Sequence, residues 1–351
     1  MTSTIQAQPS TARAESEALL AATLSGIGGA VMGALMGLMG SRPSLWGPWS
    51  FAVWAALAAA AAAAISSAVG YWRSRTTDAA RWRREIANWR YVVSTVSVVI
   101  AHVALAAILV LALYAVLSRA FIGATLNVFW TTVLLAVTTG IAGWVSYLSA
   151  SRMTTQRLTS LLVTFIAIGS LAAMLTTSDP EWWHLHFSQL GTFGDLSSFL
   201  FNGTLIAGGL LVTTFTLYVD NDLESIGEGP RARRIVTTAL AVMGIMLACV
   251  GIFPVNVNML LHNLSASGMA AMFLVLLVGG PWIVHRMPRA YFLASWGFLA
   301  ALLASIVLFV VGYFGLTAFE IIVFALIFGW LAVFIRFMSV TGRVGDEAEA
   351  S

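Results

Sequence analysis

The side chains that could do chemistry gather in one polar stretch, Asp179–Asn202, which reads DPEWWHLHFSQLGTFGDLSSFLFN. It carries Asp179, Glu181, His184, His186 and Asp195, and two residues farther along the chain, His262 in the loop 252–262 and Glu320 at the end of the last helix, fall on the same side. Acid–base work on a lipid headgroup is one use of such a set. Glu320, partly desolvated at a helix end, would have its pKa moved towards a useful value, His262 would act as base, and Ser188 or a water would be the nucleophile. Asp195 completes that catalytic set, and Asn202, His184 and His186 are candidates for ligand binding. His184 and His186 are two apart, so they share a side only where the chain is extended. With a carboxylate or His262 they could hold zinc. The spacing fixes no third ligand, however, so no metal and no cofactor is assigned. A structural reading competes for the same residues. Trp182, Trp183, Leu185, Phe187 and Leu190 make the stretch unusually apolar for an aqueous loop, which suits a segment folded back onto helices with its polar groups satisfying one another.

The elements that position these groups follow from composition. Hydrophobic residues make up 59% of the 351 positions and charged residues 9%, with mean hydropathy +0.89. Soluble chains carry roughly 25% charge, so lipid is the main solvent. Apolar runs of about 20 residues recur throughout, each long enough to cross roughly 30 Å of hydrocarbon as a helix. Backbone groups in lipid must be satisfied within their own segment, so the runs are helices. The reading is all-α: a polytopic membrane protein of ten transmembrane helices, at about 18–40, 46–72, 91–117, 121–149, 158–177, 198–218, 234–253, 263–284, 290–313 and 317–338. A disordered tail over 1–17, an N-terminal four-helix module over 18–149, a six-helix domain over 158–338 and a polar tail over 339–351 complete the expected organisation. Gly29, Gly33 and Gly37 form one smooth face on the first helix, and the second helix, with its run Ala58–Ala64, is the expected partner.

All 18 basic residues are Arg, a bias that together with abundant Ala reads as a GC-rich bacterial genome. With the N-terminus inside, 16 of the 18 fall in inner loops and only Arg42 and Arg119 fall outside. The positive-inside rule then places both termini in the cytoplasm of a bacterial inner membrane, with Asp179–Ser197 outside. Residues 73–91 form the strongest basic cluster. They read as a short interfacial helix held by Trp82 and Trp89 and by anionic lipid, or as a docking surface for a cytoplasmic or membrane partner. Nothing suggests nucleic acid, and membrane lipids are the expected partners. The single Cys249 excludes an intrachain disulfide. Asp220, Asp222 and Glu224 read as part of a solvated inner loop. His102 lies roughly 16 Å into the third helix at 1.5 Å per residue, near mid-bilayer. An ionisable group there is a functional candidate, weighed against a neutral ring bonded to a nearby Ser or Thr.

The second half carries a set of short motifs: Ser188, Leu190 and Gly191; Phe201–Asn202; Gly208–Gly209; Gly251-Ile252-Phe253-Pro254; then His262 with Ala266, Gly268, Ala270 and Phe273. On these residues, 158–338 resembles the six-helix prokaryotic domain-of-unknown-function 998 family and, more distantly, the eukaryotic Frag/DRAM/Sfk membrane-protein family. The resemblance implies a six-helix bundle with polar outer loops and brings no established activity with it. Some of the eukaryotic relatives are associated with lipid-anchor remodelling, which favours a lipid ligand. The leading expectation is a non-catalytic, lipid-facing or partner-binding protein with an outer two-loop cap. A membrane-embedded enzyme acting on a lipid headgroup is the alternative, and a transporter the third.

Overall fold

The computed structural model of the protein describes residues 9–40, 42–76 and 82–349. Among these, every long element is a helix, and the one β-type contact is an isolated bridge between Ser44 and Thr125. Ten of the described helices are long and apolar enough to cross a membrane, which makes the chain a multi-pass integral membrane protein. It divides into two compact units, Met1–Met153 and Thr154–Ser351.

The first unit contains α1 (Pro9–Leu38), α2 (Phe51–Ser74), the single turn α3 (Trp82–Glu85), α4 (Asn88–Ala120) and α5 (Val128–Ser151). The expected pairing of the first two helices is corrected here, because α1 lies along α5 instead. A Cβ on Gly33 would run into the Thr131 carbonyl and stand 2.7 Å from the Thr132 Cα, and one on Gly37 would stand 2.6 Å from the Val128 Cα. Only glycine allows the backbones so close. That proximity lets hydroxyls on α5 reach carbonyls on α1, Thr131 Oγ1 to Gly33 O at 3.0 Å and Thr139 Oγ1 to Ser25 O at 2.8 Å. The alanine face of α2 packs against both α4 and α5. Leu20, Leu24, Ile27, Val31 and Leu35 on the far side of α1 are exposed, as a lipid-facing side should be.

The expected disordered tail over 1–17 is corrected over its described part, since α1 begins at Pro9; residues 1–8 lie outside the described residues. Glu17 accepts a hydrogen bond from the Tyr147 hydroxyl and pairs with Arg13 at 3.1 Å, while Glu15 pairs with Arg152 at 2.9 Å. The basic segment 73–91 is likewise not one interfacial helix. Between α2 and α4 its described residues contribute the turn α3, and residues 77–81 lie outside the described ones. Three of its guanidinium groups turn onto backbone oxygens. Arg75 donates to Arg83 O at 3.0 Å and Ile86 O at 2.9 Å, Arg84 donates to Thr76 O at 2.6 Å, and the buried Arg83 donates to Ser74 Oγ at 2.6 Å and to Met153 O.

The second unit contains α6 (Thr155–Thr176), α7 (Leu196–Ser225), α8 (Pro230–Ile252), α9 (Val255–Ile283), α10 (Arg289–Val310) and α11 (Leu316–Glu349). Helix α7 is packed on both α6 and α8. Trp330 anchors the other side, stacked on Phe334 at 5.5 Å and edge-on to Phe273 at 5.7 Å, with its indole N–H donating to Ser295 Oγ at 3.1 Å. Three expectations are corrected. The acidic stretch around Asp220 is helical to Ser225: Asp220 and Glu224 pair with Arg233 at 2.8 and 2.5 Å, and Asp222 accepts the Thr155 hydroxyl at 2.5 Å. The segment 252–262, expected as a loop, is helix from Val255, and α11 runs past the expected end at 338 to Glu349.

Replacing Gly33 by Leu should separate α1 from α5 and lower the melting temperature of the detergent-solubilised protein, at a cost of roughly 1–3 kcal/mol. Gly28→Leu, where a Cβ meets nothing within 4 Å, is the matched control and should melt like wild type. Equal melting of both variants would refute the close α1–α5 approach.

Candidate functional site

The stretch that opens the sequence reading is a folded cap at one end of the second unit. After α6 the chain makes two 3₁₀ turns, Trp182–His184 and Phe187–Gly191, before entering α7. The second turn is driven inward by its apolar residues. Phe187 and Leu190 are buried, and the Phe187 ring sits edge-on to Phe201 at 5.1 Å and against Phe324 at 6.1 Å.

Burial brings backbone groups that need partners, and side chains from three helices supply them. The Glu320 carboxylate, one turn into α11, accepts the Phe187 N–H at 2.5 Å and also the Ser188 N–H. Asn202 on α7 donates to Gly191 O at 2.9 Å, and Asn256 at the start of α9 donates to Thr192 O at 3.1 Å. Ser197 donates to Leu190 O at 3.2 Å. A Cβ on Gly191 would stand 2.5 Å from Asn202 Oδ1, so glycine is what permits that approach.

Asp195 is the N-cap of α7. Its Oδ1 accepts the Ser198 N–H at 3.0 Å, and its Oδ2 takes the Ser178 N–H at 3.0 Å and the Ser178 hydroxyl at 2.7 Å, which ties the end of α6 to the start of α7. Burial acts to raise its pKa, but the Ser178 and Ser198 donors outweigh it and hold the carboxyl below the usual carboxylate range.

His262 reaches the cap because α9 is interrupted. Pro254 caps its start, Asn258 leaves the helical conformation, and the Asn258 side chain accepts the Leu261 N–H at 3.0 Å, restarting the helix with His262 on its first turn. The His262 ring is buried. Its Nδ1 lies 3.0 Å from Phe253 O and its Nε2 lies 3.1 Å from Ser188 Oγ. A carbonyl can only accept, so Nδ1 carries the proton and Nε2 is the acceptor of the Ser188 hydroxyl. Three expected catalytic residues, Ser188, His262 and Glu320, therefore meet around one short turn. The fourth, Asp195, is engaged separately as a helix cap.

The ligand candidates disperse. His184 is exposed and lies against the Trp183 ring, at 3.6 Å between centroids. His186 is half-buried; burial, and then the neighbouring His262 ring, lower its pKa, so it is neutral near pH 7. Among the described residues no group of three His, Cys, Asp or Glu is placed to hold a metal ion. Asp179 accepts the Glu181 N–H at 2.8 Å, a local turn contact. Asn202 binds the returning loop through the Gly191 carbonyl.

His102, in the first unit, departs from its expected Ser or Thr partner. Its Nδ1 bonds Val98 O at 2.8 Å, one turn back, and its buried Nε2 has no partner. The ring contacts Phe51–Tyr114 and Tyr71–Tyr91 set the register of α2 on α4, and that register puts His102 beside the alanine run.

Sequence reasoning missed Ser178, Asn256, Asn258 and Glu228. The motif Pro-x-Asn-x-Asn held the only signal for the α9 restart, since Asn is a preferred N-cap. Glu228 is buried at the other end of the unit and accepts the N–H groups of His285 and Arg286, both at 2.7 Å.

The family described as protein of unknown function (DUF998) matches residues 160–336, within the second unit. No curated protein and no solved structure matches the chain.

Two outcomes follow from this geometry. Asp195→Ala should destabilise the second unit by about 1 kcal/mol through loss of the cap, while Asp195→Asn, which can still accept, should cost less. Equal losses in thermal melts of the two variants would rule out the capping role. His102→Leu should melt no lower than wild type, because it removes a buried unpaired nitrogen whose desolvation costs roughly 1–3 kcal/mol. A drop of several degrees would mean that Nε2 binds a buried water or ligand.

Proposed function

The chain belongs to the DUF998 family, and we propose that it is a lipid-facing protein of the bacterial cytoplasmic membrane that binds lipid at its capped end. The observation that carries this reading is the character of the cap's outer surface. Trp183, Leu185, Leu196 and Phe199 are exposed there, as are Val257, Met259 and Leu260 on the neighbouring start of α9. Large exposed apolar groups gathered on two adjoining segments suit a membrane or partner contact, and tryptophan favours the headgroup level. A cap tied to the bundle through its backbone, with apolar groups turned outward, suits a lid seated in the interface.

The arginine distribution supports an outward-facing cap. In the second unit Arg157, Arg231, Arg233, Arg234, Arg286, Arg289 and Arg336 all lie towards the helix ends opposite the cap, and the positive-inside rule places that end in the cytoplasm. Both termini are then cytoplasmic. The leading role is binding without catalysis, of lipid or of a membrane partner. The hydrogen bond between Ser188 and His262 favours a second reading, an enzyme acting on lipid from the outer leaflet. The transport reading has less support, since the His102 ring bonds its own helix.

Reconstitution in nanodiscs with a photoactivatable phosphatidylethanolamine tests the first reading. Crosslinks should map to peptides covering 182–199 and 255–262 as well as to the lipid face of α1. Crosslinks confined to other helix faces, with none on the cap, would eliminate it.

A further inference from the structure

We infer that Ser188 and His262 form a nucleophile–base pair that accepts the acyl group of a membrane-lipid carboxylic ester. This rests on the enzyme reading of the capped end. The pair has the parts that activation of a serine requires. The hydroxyl donates to an imidazole nitrogen at 3.1 Å, and the other ring nitrogen is fixed at 3.0 Å by the Phe253 carbonyl, which sets both tautomer and ring orientation. The two residues come from separate elements, a 3₁₀ turn and an interrupted helix, each with its own restraint. Glu320 holds the turn through the Phe187 and Ser188 N–H groups, and Asn258 restarts the helix that presents His262. Glu320 is thus a positioning residue for Ser188. Ser188 itself is only partly buried, whereas the imidazole it donates to is buried.

The chemistry of the surroundings selects the substrate class. The cap segments 178–202, 253–262 and 311–320 contain no Arg or Lys, so nothing there would neutralise a phosphate under attack. The Glu320 carboxylate, bonded to the backbone of the turn that carries the nucleophile, would repel one. An uncharged acyl carbonyl meets neither obstacle. The exposed Trp183, Leu185 and Phe199 around the turn suit the chains that accompany such an ester in a membrane.

Ser188 Oγ forms a bond to the ester carbonyl carbon while its proton passes to His262 Nε2. The carbon–alkoxy bond then breaks, and the departing alcohol takes the proton from Nε2, leaving an acyl-serine. Water, or the hydroxyl of a second lipid, attacks that ester with His262 again accepting the proton, and Ser188 is regenerated.

An alkyl fluorophosphonate, which traps activated serines, tests the pair on the full-length protein in nanodiscs, with the adduct mapped by peptide mass spectrometry. Wild type should carry the adduct on Ser188, S188A should carry none at that peptide, and H262Q should label about a hundredfold more slowly. The wild-type rate should also fall as pH drops from about 8 to about 5 and the imidazole takes a proton, a readout that needs no variant to fold. Absence of a Ser188 adduct overturns the proposal, as does labelling that is independent of pH or unchanged in H262Q. The lipid crosslinking is run on the same sample to separate the failures. Cap crosslinks without an adduct sink the dyad and leave lipid binding standing. Loss of both removes the lipid-facing reading as well.

Discussion

A backbone placed among apolar groups has no water to bond, and this constraint organises the whole molecule. Helices meet it internally. The stretch between α6 and α7 cannot, because its two 3₁₀ turns leave N–H and C=O groups unpaired while Phe187 and Leu190 pull it into the bundle. The bundle answers with side chains at fixed places: Glu320 for two N–H groups, Asn202 and Asn256 for two carbonyls, Asp195 for the start of α7. The polar residues of the cap are therefore explained first by the backbone they satisfy. Any ligand has to be bound with what is left over, namely the hydroxyl of Ser188, the imidazoles of His184 and His186, and the apolar outer surface.

The first unit solves the same problem with a different donor. Arg75, Arg83 and Arg84 donate to the carbonyls at the end of α2, in α3 and at Met153, where the chain leaves helix geometry. Threonine hydroxyls on α5 donate to carbonyls of α1 that are already bonded within the helix, which is possible only because Gly33 and Gly29 remove the intervening atoms. Small residues and short hydroxyls act together here. The glycine allows the approach and the threonine gives it a register, so a stripe of glycine identifies its partner only once the hydroxyls opposite are known.

That distinction marks where sequence reading reaches its limit. Each crossing helix was legible, because twenty apolar residues in a row have one stable arrangement in lipid. The pairing of helices was not: Ala58–Ala64 and Thr131–Thr139 are both plausible partners for a glycine face, and only the threonine side adds hydrogen bonds. In the capped end, Ser188, Asn202, His262 and Glu320 could be named from their position at one end of the bundle, yet the roles divided differently from expectation. Asp195 belongs to a helix cap because Ser198 stands three residues on, a local signal present in the sequence. Pro254 reads as the end of a helix, which puts His262 in a loop. Its place on a helix depends on Asn258 restarting α9 after a single turn, and the weight of one asparagine against an apolar run cannot be judged without the fold.

The contact between Ser188 and His262 has two consequences that one geometry supports at once. As structure, it satisfies a half-buried hydroxyl and a buried imidazole, and it closes the cap onto α9. As chemistry, it is the ground state of proton transfer from a serine. The two are told apart by the direction of the hydrogen bond and by access. Were Nδ1 of His262 the free nitrogen, Nε2 would carry the proton and donate to Ser188 Oγ, and the pair would be a structural clasp only. The Phe253 carbonyl forbids that tautomer, because a carbonyl oxygen facing Nδ1 requires the proton there. Phe253 in turn lies just beyond α8, in the link before Pro254, where its carbonyl is not needed to continue a helix. The break between α8 and α9 thus fixes the protonation of the imidazole, and that protonation is what makes the serine the donor.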